Sequence, residues 1–224
     1  MDCRKAGNIM KLINLTVQDF IDEVDSKSPA PGGGSVSALI SALGTALIKM
    51  VGHLSISKKK FLKLDEAIQK QIHQTMAELD HFKKELVSLI DQDTIAFNQI
   101  MKAYQLPKET DEQLLFRHTE IQLATQEAIS VPMKVLKVSR AIFYHLSLML
   151  TYGTKQAVSD IGVGILSIAT GAEGAGLNVL INACSLEDEA QKKATIKEVK
   201  KILQEITDYK TSLMRMVYHI IEKE

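Results

Sequence analysis

Cysteine is nearly absent. Cys3 and Cys184 are the only two in 224 residues, too few and too far apart for a disulfide scaffold, and they read as reduced thiols of a cytoplasmic protein. Proline is scarce as well, at Pro29, Pro31, Pro107 and Pro132. Long stretches therefore keep every backbone donor and are free to be helical. No charge of one sign dominates, with 27 Lys and Arg against 27 Asp and Glu, so no general positive field is available to hold nucleic acid. Nor is there an unbroken apolar run. Lys49 and His53 interrupt residues 36–54, while Glu173 and several glycines interrupt residues 161–182, and neither stretch reads as a membrane span. The N-terminal MDCRKAGNIMK has no apolar segment behind its basic residues and no cleavage-site pattern, so no secretory signal is expected. What remains, 46% hydrophobic and 24% charged, is the composition of an ordinary globular chain of one compact domain.

The hydrophobic pattern is helical throughout and predicts an all-α fold. Thr16 and Asp19 form a capping pair for a short helix with Val17, Phe20, Ile21 and Val24 on one face. SPAPGGGS, residues 28–35, is a connector, with Ser35 as the N-cap of the next helix. That helix carries large apolar residues such as Leu43, Leu47, Met50 and Leu54 on one side and Ser37, Ala38, Ser41, Ala42, Gly44 and Thr45 on the other, so both faces are expected to be buried. Residues 64–104 hold one apolar stripe, a helix roughly 60 Å long at 1.5 Å per residue. A further helix starts near Thr110 or Asp111 and restarts or kinks at Pro132. The chain ends with a glycine-rich apolar segment, residues 156–184, and an amphipathic helix from about Glu187 to Glu222. No repeat or domain linker is visible. Residues 1–14 read as an N-terminal extension to a helical domain over 15–224.

Three features break the pattern. Asp93 lies on the apolar stripe, four residues after Leu89 and four before Phe97. A buried, unpaired carboxylate costs several kcal/mol, so it meets a base or a hydrogen-bond donor or is kept for a ligand; a structural salt bridge and a site role both stay open. Asp91 falls beside the stripe and reads as solvated. The second feature is five glycines between Gly162 and Gly176, each costing a helix about 1 kcal/mol against alanine. At helical spacing Asp160, Gly164, Ser167, Gly171, Gly174, Asn178 and Asn182 form one small, polar stripe. Close helix packing explains the glycines but not the acid and the two amides. On an unbroken helix Asp160 and Asn182 would stand about 33 Å apart, so one small ligand reaches both only through a break or a second subunit. The third is PGGGS opening onto a helix N-terminus, where free amides favour anions but a turn needing positive φ is the plainer reading. Lys58, Lys59 and Lys60 at a helix end read as solvated charge. The six histidines show no HExxH and the cysteines no zinc spacing, so no metal site is expected, and no GxSxG points to a covalent nucleophile.

In order, SPAPGGGSVSALISALGTALIKMV, SKKKF, DQDTIAF, YQLPKETDEQ, SVP and SDIGVGILSIATGAEGAGLNVLIN resemble the cyclodeaminase module of the formiminotransferase-cyclodeaminase family, over about residues 15–188 and more loosely to the C-terminus. The resemblance implies a bundle of about six to eight long helices that forms a homodimer. It also implies conversion of 5-formimidoyltetrahydrofolate to 5,10-methenyltetrahydrofolate with loss of ammonia, a step in histidine degradation, or hydrolysis of the methenyl compound to 10-formyltetrahydrofolate. No cofactor beyond the tetrahydrofolate substrate and no metal is implied, and the formiminotransferase activity of fused members is not expected. By position the catalytic acids fall on Asp93, with Asp91 as the alternative, and on Asp160 of the Ser159-Asp160 pair. Substrate-binding positions fall on Gly32, Gly33, Gly34, Ser35, Lys59, Lys60, Asn178 and Asn182, with the lysines and the glycine loop placed to meet the glutamates of a polyglutamylated tail. Where family members often carry Asn after the position of Gly153, this chain has Thr154, Lys155 and Gln156. A catalytically silent, folate-binding helical dimer is the rival of another class.

Overall fold

The computed structural model describes residues 11–223. Among them the chain forms six α-helices and no strand: α1 (Val17–Val24), α2 (Gly33–Ile56), α3 (Glu66–Tyr104), α4 (Asp111–Tyr152), α5 (Val158–Ala183) and α6 (Glu189–Glu222). Cys3 and most of the expected N-terminal extension lie outside the described residues. Residues 11–14 are part of the body, because the 3-10 turn Leu12–Asn14 packs on α3 and the Leu12 amide donates to Asp91 Oδ1 at 2.6 Å. Asp91 is thus a tether rather than the solvated acid its spacing suggests.

Side-chain caps set three helix starts. Thr16 accepts from the Asp19 amide, Thr110 from the Gln113 amide, and Asp188 from the amides of Ala190 and Gln191, satisfying donors that a first turn leaves free. α2 starts differently. Its N-cap is Gly32, with no side-chain cap of its own, so Ser35 is not the cap but lies in the first turn. Gly32 has φ −121° and needs no left-handed backbone, so the positive-φ reading of the glycines does not hold.

α2 and α5 form the central pair, and the small residues of each set their approach and register. A Cβ on Gly44 would meet the Gly164 carbonyl at 2.7 Å, one on Gly164 would meet Ile48 at 2.7 Å, one on Gly171 would fall on Ser41 and one on Gly174 on Ser37. Rising numbers on α2 meet falling numbers on α5, so the two run antiparallel at near-backbone contact. α3 packs on α2 and α4, α4 on α5, and α6 covers α5 and α4. The core between them holds Ile48, Leu86, Ile90, Phe143, Ile161 and Ile165, all fully buried. At about 25 cal/mol per Å² of apolar surface this burial is the main stabilising term.

α2 is not buried on both faces. Its small side faces α5, while Leu43, Met50 and Leu54 are exposed, Leu43 by 57%. α5 does the same with Leu166 (46%), Leu177 (62%) and Ile181 (67%). By length and composition the helices spanning Gly33–Ile56 and Lys155–Ala183 are each sufficient to cross a membrane, although Lys49 and Glu173 sit inside them. α1 likewise buries none of its residues, leaving Val17 and Ile21 exposed.

α4 runs as one helix through Pro132, so the helix does not restart there. Proline has no N–H to give the carbonyl four residues back, here that of Ala128. Asn182 Nδ2 on α5 donates to that Ala128 carbonyl at 2.8 Å. A side chain from the neighbouring helix thus replaces the missing backbone bond. Lys49, buried on α2, pairs with Asp80 on α3, whose carboxyl also meets Lys83 at 3.3 Å and Lys84 at 2.7 Å. These lysines hold Asp80 well below the usual carboxylate range.

Candidate functional site

Because α2 and α5 are antiparallel, the residues singled out by pattern and resemblance fall at two opposite ends of the pair. The first end gathers Asp93 on α3, Gly32 to Ser35 at the start of α2, and Asn178 near the end of α5. Asp93 Oδ2 accepts from the Ser35 amide at 2.9 Å and from the Ser35 hydroxyl at 3.2 Å. The Ser35 hydroxyl also lies 2.8 Å from the Ile90 carbonyl and 3.2 Å from Thr94 Oγ1. Asp93 therefore takes the capping place that Gly32 cannot fill, from a helix 58 positions away in sequence. The glycines are explained by proximity: a Cβ on Gly34 would fall on the Asp93 carboxylate, and one on Gly33 would lie 3.0 Å from Asn178 Nδ2.

Two physical effects oppose each other at Asp93. Burial disfavours its charged form and raises the pKa, while the hydrogen bonds from the Ser35 hydroxyl and amide, at the positive end of the α2 dipole, lower it; burial is the larger and the net direction is up. Among the described residues no Lys, Arg or His pairs with it. The result is a half-buried carboxylate with an elevated proton affinity, one oxygen held and no partner ion: a group placed to take and return a proton.

The second end lies at the C-terminus of α2 and the start of α5. Asp160 is in the first turn of α5 and Ser159 beside it is exposed. A cavity of about 330 Å³ opens here, lined by Ser55, Lys58, Lys60, Phe61, Tyr152 and residues 153–156. Lys58 Nζ contacts Thr154 Oγ1 and, at 3.1 Å, Gln156 Oε1. Of the two lysines singled out by resemblance, Lys60 lines the cavity and Lys59 does not. Lys58 of the same lysine run also lines the cavity, as does Lys155, which sequence reasoning did not single out as a ligand.

α5 is unbroken, so the helix break considered for its polar stripe is absent. Asp160 and Asn178 are 18 residues apart, about 27 Å along the axis. Asn178 joins the Asp93 end, with its Nδ2 also bonded to the Gly174 carbonyl at 2.8 Å, while the Nδ2 of Asn182 turns to α4. The three glycines, Ser35 and Asn178 are brought to Asp93; Asp160, Lys59 and Lys60 are not.

Fold and polar ends together define a helical bundle built on a close antiparallel helix pair, with a carboxylate of raised proton affinity at one end and a lysine-lined cavity at the other. The chain belongs to the formiminotransferase-cyclodeaminase family, which it matches over residues 16–201. It is 35% identical over 192 residues to a methenyltetrahydrofolate cyclohydrolase of Methylorubrum extorquens, covering 86% of this chain and 90% of that one. It is 33% identical over 200 residues to the formimidoyltransferase-cyclodeaminase of Mus musculus, covering 89% of this chain but 36% of the longer mouse protein. In three dimensions it resembles the formiminotetrahydrofolate cyclodeaminase of Thermotoga maritima with a TM-score of 0.81 at 27% identity, over 93% of this chain and 98% of that one.

Proposed function

We propose that this chain converts 5-formimidoyltetrahydrofolate to 5,10-methenyltetrahydrofolate and ammonia by acid–base catalysis at Asp93. N10 attacks the formimidoyl carbon on N5. The N10 proton must then leave and the departing nitrogen must gain one, after which the C–N bond to ammonia breaks and the N5–C–N10 bridge carries the positive charge. A carboxylate of raised proton affinity does both transfers, and once deprotonated its charge favours the cationic product. No electrons are exchanged with a second reactant, so the reaction as written calls on no redox cofactor. The observation that carries this reading is Asp93 itself, held by Ser35 through one oxygen with no counter-ion among the described residues.

The site we infer is completed by a second copy. The exposed stripes of α2 and α5 form one apolar face, and burying it against its two-fold mate removes Leu43, Leu166 and Leu177 from water. With the two-fold axis running across the helices, the Asp93 end of each subunit approaches the Asp160 end of its partner, where Asp160 is placed to accept from the pterin N–H groups. In this arrangement the apolar helices serve subunit contact rather than a bilayer. The partners are tetrahydrofolate derivatives, polyglutamylated ones included, and not nucleic acid. The exposed, free Cys184 fits a cytoplasmic setting.

The test is the near-ultraviolet absorbance of the methenyl cation. Formation from 5-formimidoyltetrahydrofolate with release of ammonia, abolished in Asp93→Asn while the helical circular-dichroism spectrum persists, is the expected result; a fully active Asp93→Asn removes the role. The second reading is favoured by the cyclohydrolase relative, of which this chain covers 90%: water attacks the methenyl carbon in the same site. Decay of added methenyl compound with no activity on the formimidoyl substrate would select it.

A further inference from the structure

We propose that Thr94 is a positioning residue for Asp93: its hydroxyl donates to Ser35 and so aims the Ser35 hydroxyl at the carboxylate, in a chain of hydroxyls that reorients as Asp93 gains and gives up a proton. The use of this chain in turnover rests on the acid–base reading above; the chain itself does not.

Ser35 is fully buried, so its neighbours alone decide where its one hydroxyl proton points. Three oxygens surround it, the Ile90 carbonyl at 2.8 Å, Asp93 Oδ2 at 3.2 Å and Thr94 Oγ1 at 3.2 Å. The carbonyl and the charged carboxylate can only accept, so the Ser35 proton goes to one of them and its lone pairs are left for Thr94. A helical threonine commonly turns its hydroxyl to the carbonyl four residues back, as Thr45, Thr119 and Thr151 do. At Thr94 that carbonyl belongs to Ile90 and is met by Ser35 instead. Among the described residues Thr94 Oγ1 has no hydrogen-bond partner but Ser35, which makes Thr94 the donor.

Two arrangements of the same atoms follow. With Asp93 charged, the Ser35 hydroxyl joins the Ser35 amide, at 2.9 Å, on Oδ2, and Thr94 donates to Ser35 from behind. Donors in series polarise one another, most of all when the last acceptor is an anion. Asp93 Oδ1 has no hydrogen-bond partner among the described residues. When it takes a proton, Oδ2 becomes the weaker acceptor and the Ser35 hydroxyl turns to the Ile90 carbonyl, a rotation about one C–O bond with no heavy atom displaced. Neighbouring charges do not enter this exchange. Asp91 is bonded to the Leu12 amide, Lys11, Glu127 and Glu173 are exposed, and the first charge along α2 after Ser35 is Lys49, about 21 Å further on. None of them pairs with Asp93.

The test is an NMR pH titration of the full-length, substrate-free protein, isotopically labelled at its aspartate carboxyl carbons, with the Asp93 signal assigned by its loss in Asp93→Asn. Thr94→Val keeps the shape and removes the hydroxyl. It is expected to make Asp93 hold its proton about threefold more tightly, the worth of one ordinary hydrogen bond. Thr94→Ala should match it, and Thr94→Ser should restore the wild-type titration. A folded Thr94→Val that titrates as wild type overturns the proposal, as does one that holds the proton more weakly, since Thr94 would then have been the acceptor. A Thr94→Ser that behaves like the valine overturns it as well. In turnover the acid limb of the pH–rate profile is expected to move to higher pH in Thr94→Val by the same factor, with KM unaltered. The titration needs neither folate nor turnover, so a shifted titration in a protein inactive on both folate substrates would remove the catalytic reading and leave the hydroxyl chain standing.

Discussion

Asp93 is pulled in opposite directions. As the acceptor that caps α2 it should be charged; as the proton relay proposed above it must carry a proton part of the time. The Ser35 bonds serve the first and burial the second. Because burial wins, the folded chain holds this proton more tightly than the unfolded one. The carboxyl's contribution to stability is therefore fully present below the ordinary carboxylate value of about 3.9 and is lost as pH rises through its higher folded value. Asp93→Asn removes that dependence. Its urea midpoint is expected to rise relative to wild type as pH goes from about 4 to about 7, and a constant difference across that range would show that burial does not dominate. An acid in the middle of an apolar stripe is legible from spacing alone. Its partner is not: Ser35 reads as a helix cap until α3 brings Asp93 within 3 Å of its amide.

At the scale of helices, Pro132 and Asn182 compensate for each other. The Asn182 amide fills the bond that Pro132 cannot make to the Ala128 carbonyl, and removing it leaves a carbonyl without its donor. Asn182→Ala is expected to cost about 1–3 kcal/mol. Pro132→Ala restores the backbone donor, so in its background the same Asn182→Ala should cost much less. A double-mutant cycle in urea measures this, and additive losses would mean that the amide's contact is incidental. Spacing puts Asn182 on the polar stripe with Asn178, and only the resemblance makes the two substrate ligands; spacing along one helix does not show that the Asn182 amide meets α4. The same limit explains α2. Amphipathic reasoning assumes that large residues go inside, yet Gly44, Gly164 and Gly171 let backbones approach so closely that small residues form the contact and Leu43, Met50 and Leu54 turn outward. α3 and α6, whose apolar stripes are long and conventional, follow their sequence patterns closely.

For the whole molecule the proposed dimer turns on the exposed α2/α5 face. Leu166→Glu, at a position where no described residue needs the leucine for the monomer core, is expected to leave the helical spectrum and the monomer intact. It should halve the mass seen by light scattering and abolish turnover. A variant that stays dimeric would place the contact elsewhere, and an active monomer would show that one chain suffices. The unbroken course of α5 has one more result. With about 27 Å between Asp160 and Asn178, the dimer proposed above would make each subunit a donor of one half-site to each of two reactions. Two dead proteins should then make a living one. Refolding Asp93→Asn together with Asp160→Asn in equal amounts gives mixed dimers in about half of the molecules, each with one intact site, and so about a quarter of wild-type turnover. If both acids instead served one chain, the same mixture would stay silent.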